Sequence, residues 1–524
     1  MASNAELSQA ARRDVLDDLA DLAGLASSGC AQLERFGAQL AAARPDLPES
    51  AARLTEGELR ALLFRHRRWA RQLGELCSEA EAWPASDALT CRLRAEREAH
   101  AALLRAQRGR IAAVITATDW QSPSYLHTGH AAAGRFTGQV VAHVNDYKRD
   151  RHHDAAAYEA EYLRRFLPGS PRAVQAYMTV CGMAAVTTVL AWLRDEGGLA
   201  GGVVAGRGVY HETMELLERS LGRSIPTVDE TSEAGLRAAI DGGAAGALFL
   251  DTLGNSSGVP APDVEAVMRR LGATERDTWL VVDNSGASPL DHPLGRAPRR
   301  LGKLRVAVVE SLTKYPQLGL DRTTAGMITA AGEGVARISE HRERLGTNVL
   351  DVSVHTLPWP DREALRRRLA RIERNAALLA ERLHRACGPA ARVSHPTLRH
   401  HHAFGRPLAF RGGYLTIDLC PDTAAGTEER FVSRAIATAK AAGVPLAAGT
   451  SFGLDVTRVY APRAAWSQPG RLLRVAAGTE DRLAVEVVAT ALAEAAGELR
   501  RRPVIGRCQA PAPRPRALAR TLRN

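Results

Sequence analysis

The spacing of apolar positions changes along the chain. From residue 5 to about 115 they recur every three or four places, as in Leu16, Leu19, Leu22 and Leu25 and again in Leu59, Leu62, Leu63 and Leu73. That is the period of a helix with one buried face. Pro45, Pro48 and Pro84 punctuate the stretch, and it carries no strand pattern. It reads as a helical extension used for packing or oligomer contact, with His66 and the arginines near it as surface charge.

From about residue 170 short apolar runs alternate with amphipathic segments. The runs are Gly202–Val204, Ala247–Leu250, Leu280–Val282 and Val306–Val309. The segments between them include Ala184–Leu193, Met214–Leu221 and Val264–Leu271. Runs apolar on both faces and separated by helices predict a parallel sheet covered by helices. After residue 330 come a long helix, Arg362 to about His384, a strand at Leu415–Leu419 and a final helix over Arg482–Arg500. This is an α+β pattern. The expected organisation is a helical extension over 1–115, a large domain over 116–330 with an N-terminal arm over 116–170, a small domain over 331–502, and a disordered Pro- and Arg-rich tail over 503–524.

Composition narrows the function classes. A chain of 524 residues, 45% apolar, builds two or three domains. The net charge of +11 comes from arginine spread along the chain, as in Arg366-Arg367-Arg368 and Arg500-Arg501-Arg502. No aromatic residues interleave with a basic cluster, so solvated helix faces and a basic tail are preferred over nucleic-acid binding. The seven cysteines are scattered and form no CxxC pair, which indicates neither a disulfide framework nor a zinc site. The first residues lack the apolar stretch of a signal peptide, and no run approaches a membrane span. A reduced, cytoplasmic setting is the expectation.

The chemistry concentrates where apolar runs end. ESLTKYPQLGLDRTTAGMI follows the run VAVV and places Lys314 between hydroxyls, with Ser311 and Thr313 before it. A buried lysine must be neutral, paired or used covalently. A Schiff base to pyridoxal phosphate would use it covalently, and the hydroxyls would bind a phosphate; an exposed charge is the plain alternative. Asp283 ends the run in TWLVVDNSGASPL, 31 residues before Lys314. It could hold a pyridine nitrogen protonated, or simply cap the next helix. Gly182 and Met183 open an Ala-rich helix, whose free N–H groups favour an anion. Tyr210 follows a strand and could stack on a flat ring. Asn255 sits in a loop after another strand, where it could donate to a phenolic oxygen or make an Asx turn.

In this order the elements resemble the cystathionine γ-synthase and γ-lyase group of Cys/Met-metabolism pyridoxal phosphate enzymes, of fold type I. The matching features are the Gly-Met turn, Tyr210 followed by Thr213, the loop Asn255, VDN at Asp283 and S-x-T-K-Y at Lys314. RLLRVAAGTED and GTSFGLDVTRV resemble later segments of that family and, by the resemblance, make Arg474 the clamp for the substrate α-carboxylate and put Ser451 near the substrate. The resemblance covers roughly residues 140–500. It implies an aspartate-aminotransferase-like three-layer α/β sandwich with a mostly parallel sheet, an α+β C-terminal domain and, here, an added helical N-terminal extension. It implies that Lys314 and Tyr210 take part in catalysis. It also implies that Tyr147 and Arg149 reach the phosphate of a neighbouring subunit in a homodimer or homotetramer.

The departures lie on the substrate side. His152, His153 and Asp154 replace an Asn-Pro-Thr run, His211-Glu212 replaces two glycines, Gly286 replaces a phenylalanine, and Pro316-Gln317-Leu318 replaces Gly-Gly-His. The resemblance implies elimination or replacement at Cβ or Cγ of an amino acid through a vinylglycine-type intermediate. The altered segments suit a specialised substrate, such as a sulfonium amino acid, or a second co-substrate held near the histidines, for which loop placement is the plain reading. An aminotransferase or decarboxylase on the same fold, and a non-catalytic scaffold with a degenerate cofactor domain, are the competing readings.

Overall fold

The computed structural model describes residues 3–43, 49–83, 86–116, 153–168, 173–242, 246–462 and 471–500. Tyr147, Arg149, His152 and the expected basic tail lie outside them.

Three long antiparallel-packed helices come first: α1 (Asn4–Ala43), α2 (Glu49–Ala82) and α3 (Asp87–Thr116). Leu19, Leu73, Leu93 and Leu104 meet in one apolar cluster and Leu33, Leu62 and Ile111 in another, all fully buried. His66 corrects the sequence reading: it is fully buried, edge-on to Trp69 with ring centroids 5.2 Å apart. Leu62, His66, Trp69 and Leu73 fall on one helix face, so the ring shares the buried stripe. Burial lowers its proton affinity to a pKa of about 4, so it stays neutral.

The helix α4 (His153–Phe166) leads into β1 (Gln175–Thr179). The chain then alternates through α5 (Gly182–Asp195), β2 (Val203–Gly206), α6 (His211–Leu221), β3 (Thr227–Val228), α7 (Glu233–Asp241), β4 (Ala247–Asp251), α8 (Val264–Gly272), β5 (Thr278–Asp283), β6 (Leu304–Ser311) and β7 (Gly326–Ala331). The seven strands form one sheet in the order β1-β7-β6-β5-β4-β2-β3. Its interior is parallel, and β7 runs antiparallel to both neighbours. Strands β4 and β7 are buried at every position, which is why their sequences read as continuous apolar runs rather than alternating ones.

Beyond the sheet come α9 (Ile338–Leu345), α10 (Asp351–Thr356) and α11 (Arg362–Cys387), then β8 (Ala391–Ser394), β9 (Tyr414–Leu419), α12 (Thr427–Ala441), β10 (Ala447–Ala448), β11 (Arg458–Tyr460), β12 (Leu472–Ala476) and α13 (Arg482–Ala495). The five strands make a second, mainly antiparallel sheet with α11, α12 and α13 packed through Leu379, Leu383, Phe431, Val488 and Leu492. The expected last helix breaks after Ala495 and resumes as one turn at Gly497–Arg500.

The arginine triplet on α11 is not simply a solvated face. Arg367 donates to Asp21 at 2.6 Å, and Arg371 and Arg374 reach Asp18 and Asp14 at 3.1 and 2.9 Å. Asp14, Asp18 and Asp21 stand at helical spacing on α1, so an acidic row faces a basic one. Arg368, one-tenth exposed, turns inward to Asp455 at 2.8 Å. Among the described residues no helix is long and apolar enough to cross a membrane.

Candidate active site

The parallel strands bring their carboxyl ends to one edge of the sheet, the place where open α/β sheets bind ligands. Asp251 ends β4, Asp283 ends β5 and Ser311 ends β6; Gly182 follows β1, and Tyr210 follows β2. Residues scattered from Gly182 to Ser311 in the sequence therefore meet.

Lys314 lies three residues beyond β6. Its Nζ donates to Ser451 Oγ at 2.8 Å and stands 5.2 Å from the centre of the Phe452 ring. Burial and the Arg474 charge lower its pKa to about 8, against a smaller opposing pull from Asp283. The Asp283 carboxyl is pushed up by burial, and bonds from Ser285 and the Lys314 charge only partly offset this. Ser285 N–H donates to Asp283 Oδ1 at 2.8 Å. Asp283 thus turns the chain locally through Ser285 rather than capping the next helical turn, which Ser288 caps, and its carboxyl feels the Lys314 charge.

Ser451 has φ 74°, a left-handed conformation that costs a non-glycine residue about 1 kcal/mol or more. That backbone puts its hydroxyl on Lys314 while its carbonyl accepts from Arg474 Nη2 at 3.1 Å. Arg474, in β12, is 2% exposed. Its Nη1 donates to Asn255 Oδ1 at 2.6 Å, and its guanidinium lies 4.4 Å from the Tyr460 ring centre and 5.8 Å from those of Tyr414 and Phe452. Among the described residues its buried Nε has no hydrogen-bond partner.

Across the site, Gly182 and Met183 are the first residues of α5, where no preceding helical carbonyl takes their N–H groups. A Cβ on Gly182 would come within 3.0 Å of Ser311 Cβ, so only glycine lets the helix end approach β6 this closely. Ser311 Oγ and Thr313 Oγ1 are 2.6 Å apart on the same side.

Tyr210 precedes α6, with its ring edge-on to His211 at 4.6 Å. Two carboxyls hold its loop. Glu230 accepts from the N–H groups of Arg207 and Gly208 at 2.8 and 2.6 Å, and the Tyr210 backbone lies beside Asp251, whose charge it partly stabilises. Asp251 pairs in register with Asp283, and burial beside that carboxyl raises its pKa well above normal.

Thus Lys314, Asp283, Ser451, Arg474 and Asn255 are joined in one connected set, and Gly182, Met183, Ser311 and Thr313 in a neighbouring one. Asp251, Tyr414, Phe452 and Tyr460 were missed from sequence. Asp251 ends LFLD as Asp283 ends LVVD, so that signal was present. The three aromatics carried none. Among the described residues no group of histidine, cysteine, aspartate or glutamate could hold a metal ion.

Such a constellation, at the carboxyl ends of a doubly wound sheet, has the position and the residue types of a ligand site in an α/β protein. The sequence model of the Cys/Met metabolism PLP-dependent enzyme family matches residues 67–418, more than half of the chain, and the protein belongs to that family. Its cofactor is pyridoxal phosphate. The chain is 24% identical over 363 residues to the bifunctional enzyme flvA of Aspergillus flavus; the match takes in 66% of this chain and 42% of that protein's length. The fold is similar to cystathionine gamma synthase from Xanthomonas oryzae pv. oryzae, at TM-score 0.54 and 19% identity over 70% of this chain and 90% of that one. It is also similar to CalE6, a methionine gamma lyase from Micromonospora echinospora, at TM-score 0.51 and 24% identity over 67% and 88%.

Proposed function

We propose that the protein transforms an amino acid carrying a leaving group at Cβ or Cγ, with Lys314 as the residue that holds pyridoxal phosphate and moves protons. The single observation that carries the reading is the joint contact at Ser451: its hydroxyl meets the Lys314 amine and its carbonyl meets the Arg474 guanidinium. One residue thus sets the spacing between a proton carrier and an anion clamp.

The residues present fit the cofactor. A buried carboxyl with raised proton affinity suits a ring N–H donor, which Asp283 would receive. The open N–H groups of Gly182 and Met183 and the hydroxyls of Ser311 and Thr313 suit a phosphate. Tyr210 would lie against the ring, and Asn255, now bound to Arg474, would share its amide with the ring oxygen. When bound, the cofactor supplies an electron sink for a carbanion at the substrate α-carbon.

Arg474 would take the substrate carboxylate in a bidentate pair, with the aromatic wall around it keeping water out. Lys314, whose amine is substantially neutral near pH 8, would accept the α-proton and return it at a neighbouring carbon. Loss of the γ-group needs a second proton removed at Cβ, which the same amine can reach in turn. A sulfonium amino acid is the specialised substrate we favour, because its leaving group departs neutral and needs no acid on the altered substrate side. Tyr147 and Arg149 would complete the phosphate site from the partner copy of a homodimer or homotetramer.

The test is incubation of the purified protein with O-acyl homoserines, cystathionine and S-adenosylmethionine, with products read by mass spectrometry. Turnover of one of them is expected. No turnover of any γ-substituted amino acid, together with conversion of the cofactor to its amine form by an amino acid and its return to the aldehyde by a keto acid, would replace the proposal with a transaminase.

A further inference from the structure

The three helices of the N-terminal layer reach the loops that carry the site. Leu320, six residues after Lys314, is 3% exposed and packs among Leu19, Leu73, Leu93 and Leu104 of those helices rather than in the sheet's own core. The link from Lys314 to Leu320 is one turn of 3-10 helix, Tyr315–Gln317, ending at Leu318 with φ 52°. Such a short link transmits displacement of Leu320 to Lys314.

Arg105, on α3, grips the same link. Its Nε donates to Leu320 O at 3.1 Å and its Nη2 to Gly319 O at 3.0 Å; Nη2 also meets Asp455 Oδ2 at 3.0 Å. Asp455 is four residues beyond Ser451. Its other oxygen accepts from Arg368 at 2.8 Å, and Arg368 donates to Gly453 O at 2.9 Å. Gly453, with φ 84°, packs so closely on Lys314 and Tyr315 that a Cβ there would come within 3.0 Å of Lys314 C. The Asp455 carbonyl accepts from Thr479 N at 2.9 Å, on the segment that follows Arg474. The three segments bearing Lys314, Ser451 and Arg474 therefore converge on Asp455, and one arginine of the N-terminal layer holds that point.

We infer that Arg105 is a positioning residue for Lys314 and Ser451, and that the N-terminal helices form the outer support of the catalytic loops. This rests on the proposed role of Lys314. Three acceptors held by one guanidinium, Gly319 O, Leu320 O and Asp455 Oδ2, fix two loops relative to each other in a way that a single donor cannot.

Hydrogen exchange read by mass spectrometry on the chain without cofactor tests it directly. In Arg105→Ala, exchange over residues 315–322 and 450–456 should rise at least about threefold, while α2 and β4–β6 keep wild-type rates. Arg105→Lys should recover part of the protection. Asp455→Asn, which keeps the shape and removes the shared charge, should give the same local pattern and serves if Arg105→Ala fails to fold. Arg67→Ala, at an exposed pair with Glu34, should leave both loops unchanged. With pyridoxal phosphate added, Arg105→Ala should shift the bound-cofactor absorbance and lower kcat about tenfold with KM within about twofold.

Unchanged exchange in both loops with an unchanged spectrum would overturn the inference, as would a rise spread evenly over the chain. A wild-type chain that binds no pyridoxal phosphate would instead sink the proposed function and leave the exchange result standing.

Discussion

The residues of the site are set against their ordinary chemistry. Burial and Arg474 bring the Lys314 pKa to about 8 from the usual 10.5, so its neutral fraction grows as pH rises through that value. The rate at which the chain takes up pyridoxal phosphate should rise from pH 7 to 9 with a midpoint near 8; a flat profile would mean that another amine or no amine is involved. Arg474→Ala should raise KM for the amino acid by roughly 10–150-fold, the loss of about 1.5–3 kcal/mol of charged hydrogen bonding. Arg474→Lys should recover little, because a single ammonium cannot form the planar pair. His66 contributes in the opposite pH sense to a histidine held charged in an ion pair. Its folded pKa, about 4, lies below its ordinary 6.5. Stability is therefore intact above pH 6.5 and falls as pH drops toward 4, by about 3 kcal/mol at most. Thermal melts of wild type beside His66→Leu should diverge over that window, with only the wild type losing stability through this group.

At the scale of elements, some of the molecule was legible in the sequence because the physics is local. Strands buried on both faces leave apolar runs, and β4, β5 and β6 were found within a few residues of their ends. Lys314 and Asp283 were singled out because each stands where such a run ends, and Gly182 because it opens a helix. His66 was misread because a histidine at helical spacing from leucines looks the same whether its stripe is buried or exposed; only the packing of α1 and α3 decides. Arg108 was invisible for the same reason. Buried in α3, it donates to the carbonyls of His355, Thr356 and Leu357, at the end of α10, the first two at 2.8 and 3.2 Å and the third shorter, and to Gln32 at 2.8 Å. It closes a helix terminus that its own element never approaches in sequence. Arg108→Met keeps the side-chain volume and strands those carbonyls, so a loss of about 3 kcal/mol is expected in denaturant titration. A loss under about 0.5 kcal/mol would mean that water replaces the guanidinium.

For the whole molecule, the N-terminal helices are tied to the cofactor fold by ion pairs and apolar packing. Acidic α1 faces basic α11, Arg94 of α3 pairs bidentately with Asp481 at the start of α13 at 2.5 and 2.6 Å, and Leu320 crosses from the Lys314 loop into the helical core. Separate melting of a 1–116 unit is not expected. Leu320→Ala, which opens a cavity at that junction, should cost about 2–5 kcal/mol and lower a single shared transition. Two transitions, with only the first shifted, would show the helices to be an independent module. None of this coupling was readable from the sequence, since it joins positions more than 200 residues apart whose types are ordinary for a helix surface.

The most direct measurement is the absorbance spectrum of the chain mixed with pyridoxal phosphate and freed of excess, wild type beside Lys314→Ala. The wild type should retain a band near the visible edge, and borohydride should fix the cofactor to the peptide containing Lys314. The variant should show neither. A wild type that stays colourless, or a Lys314→Ala chain with the same band and the same labelled peptide pattern elsewhere, would contradict the assignment of this lysine.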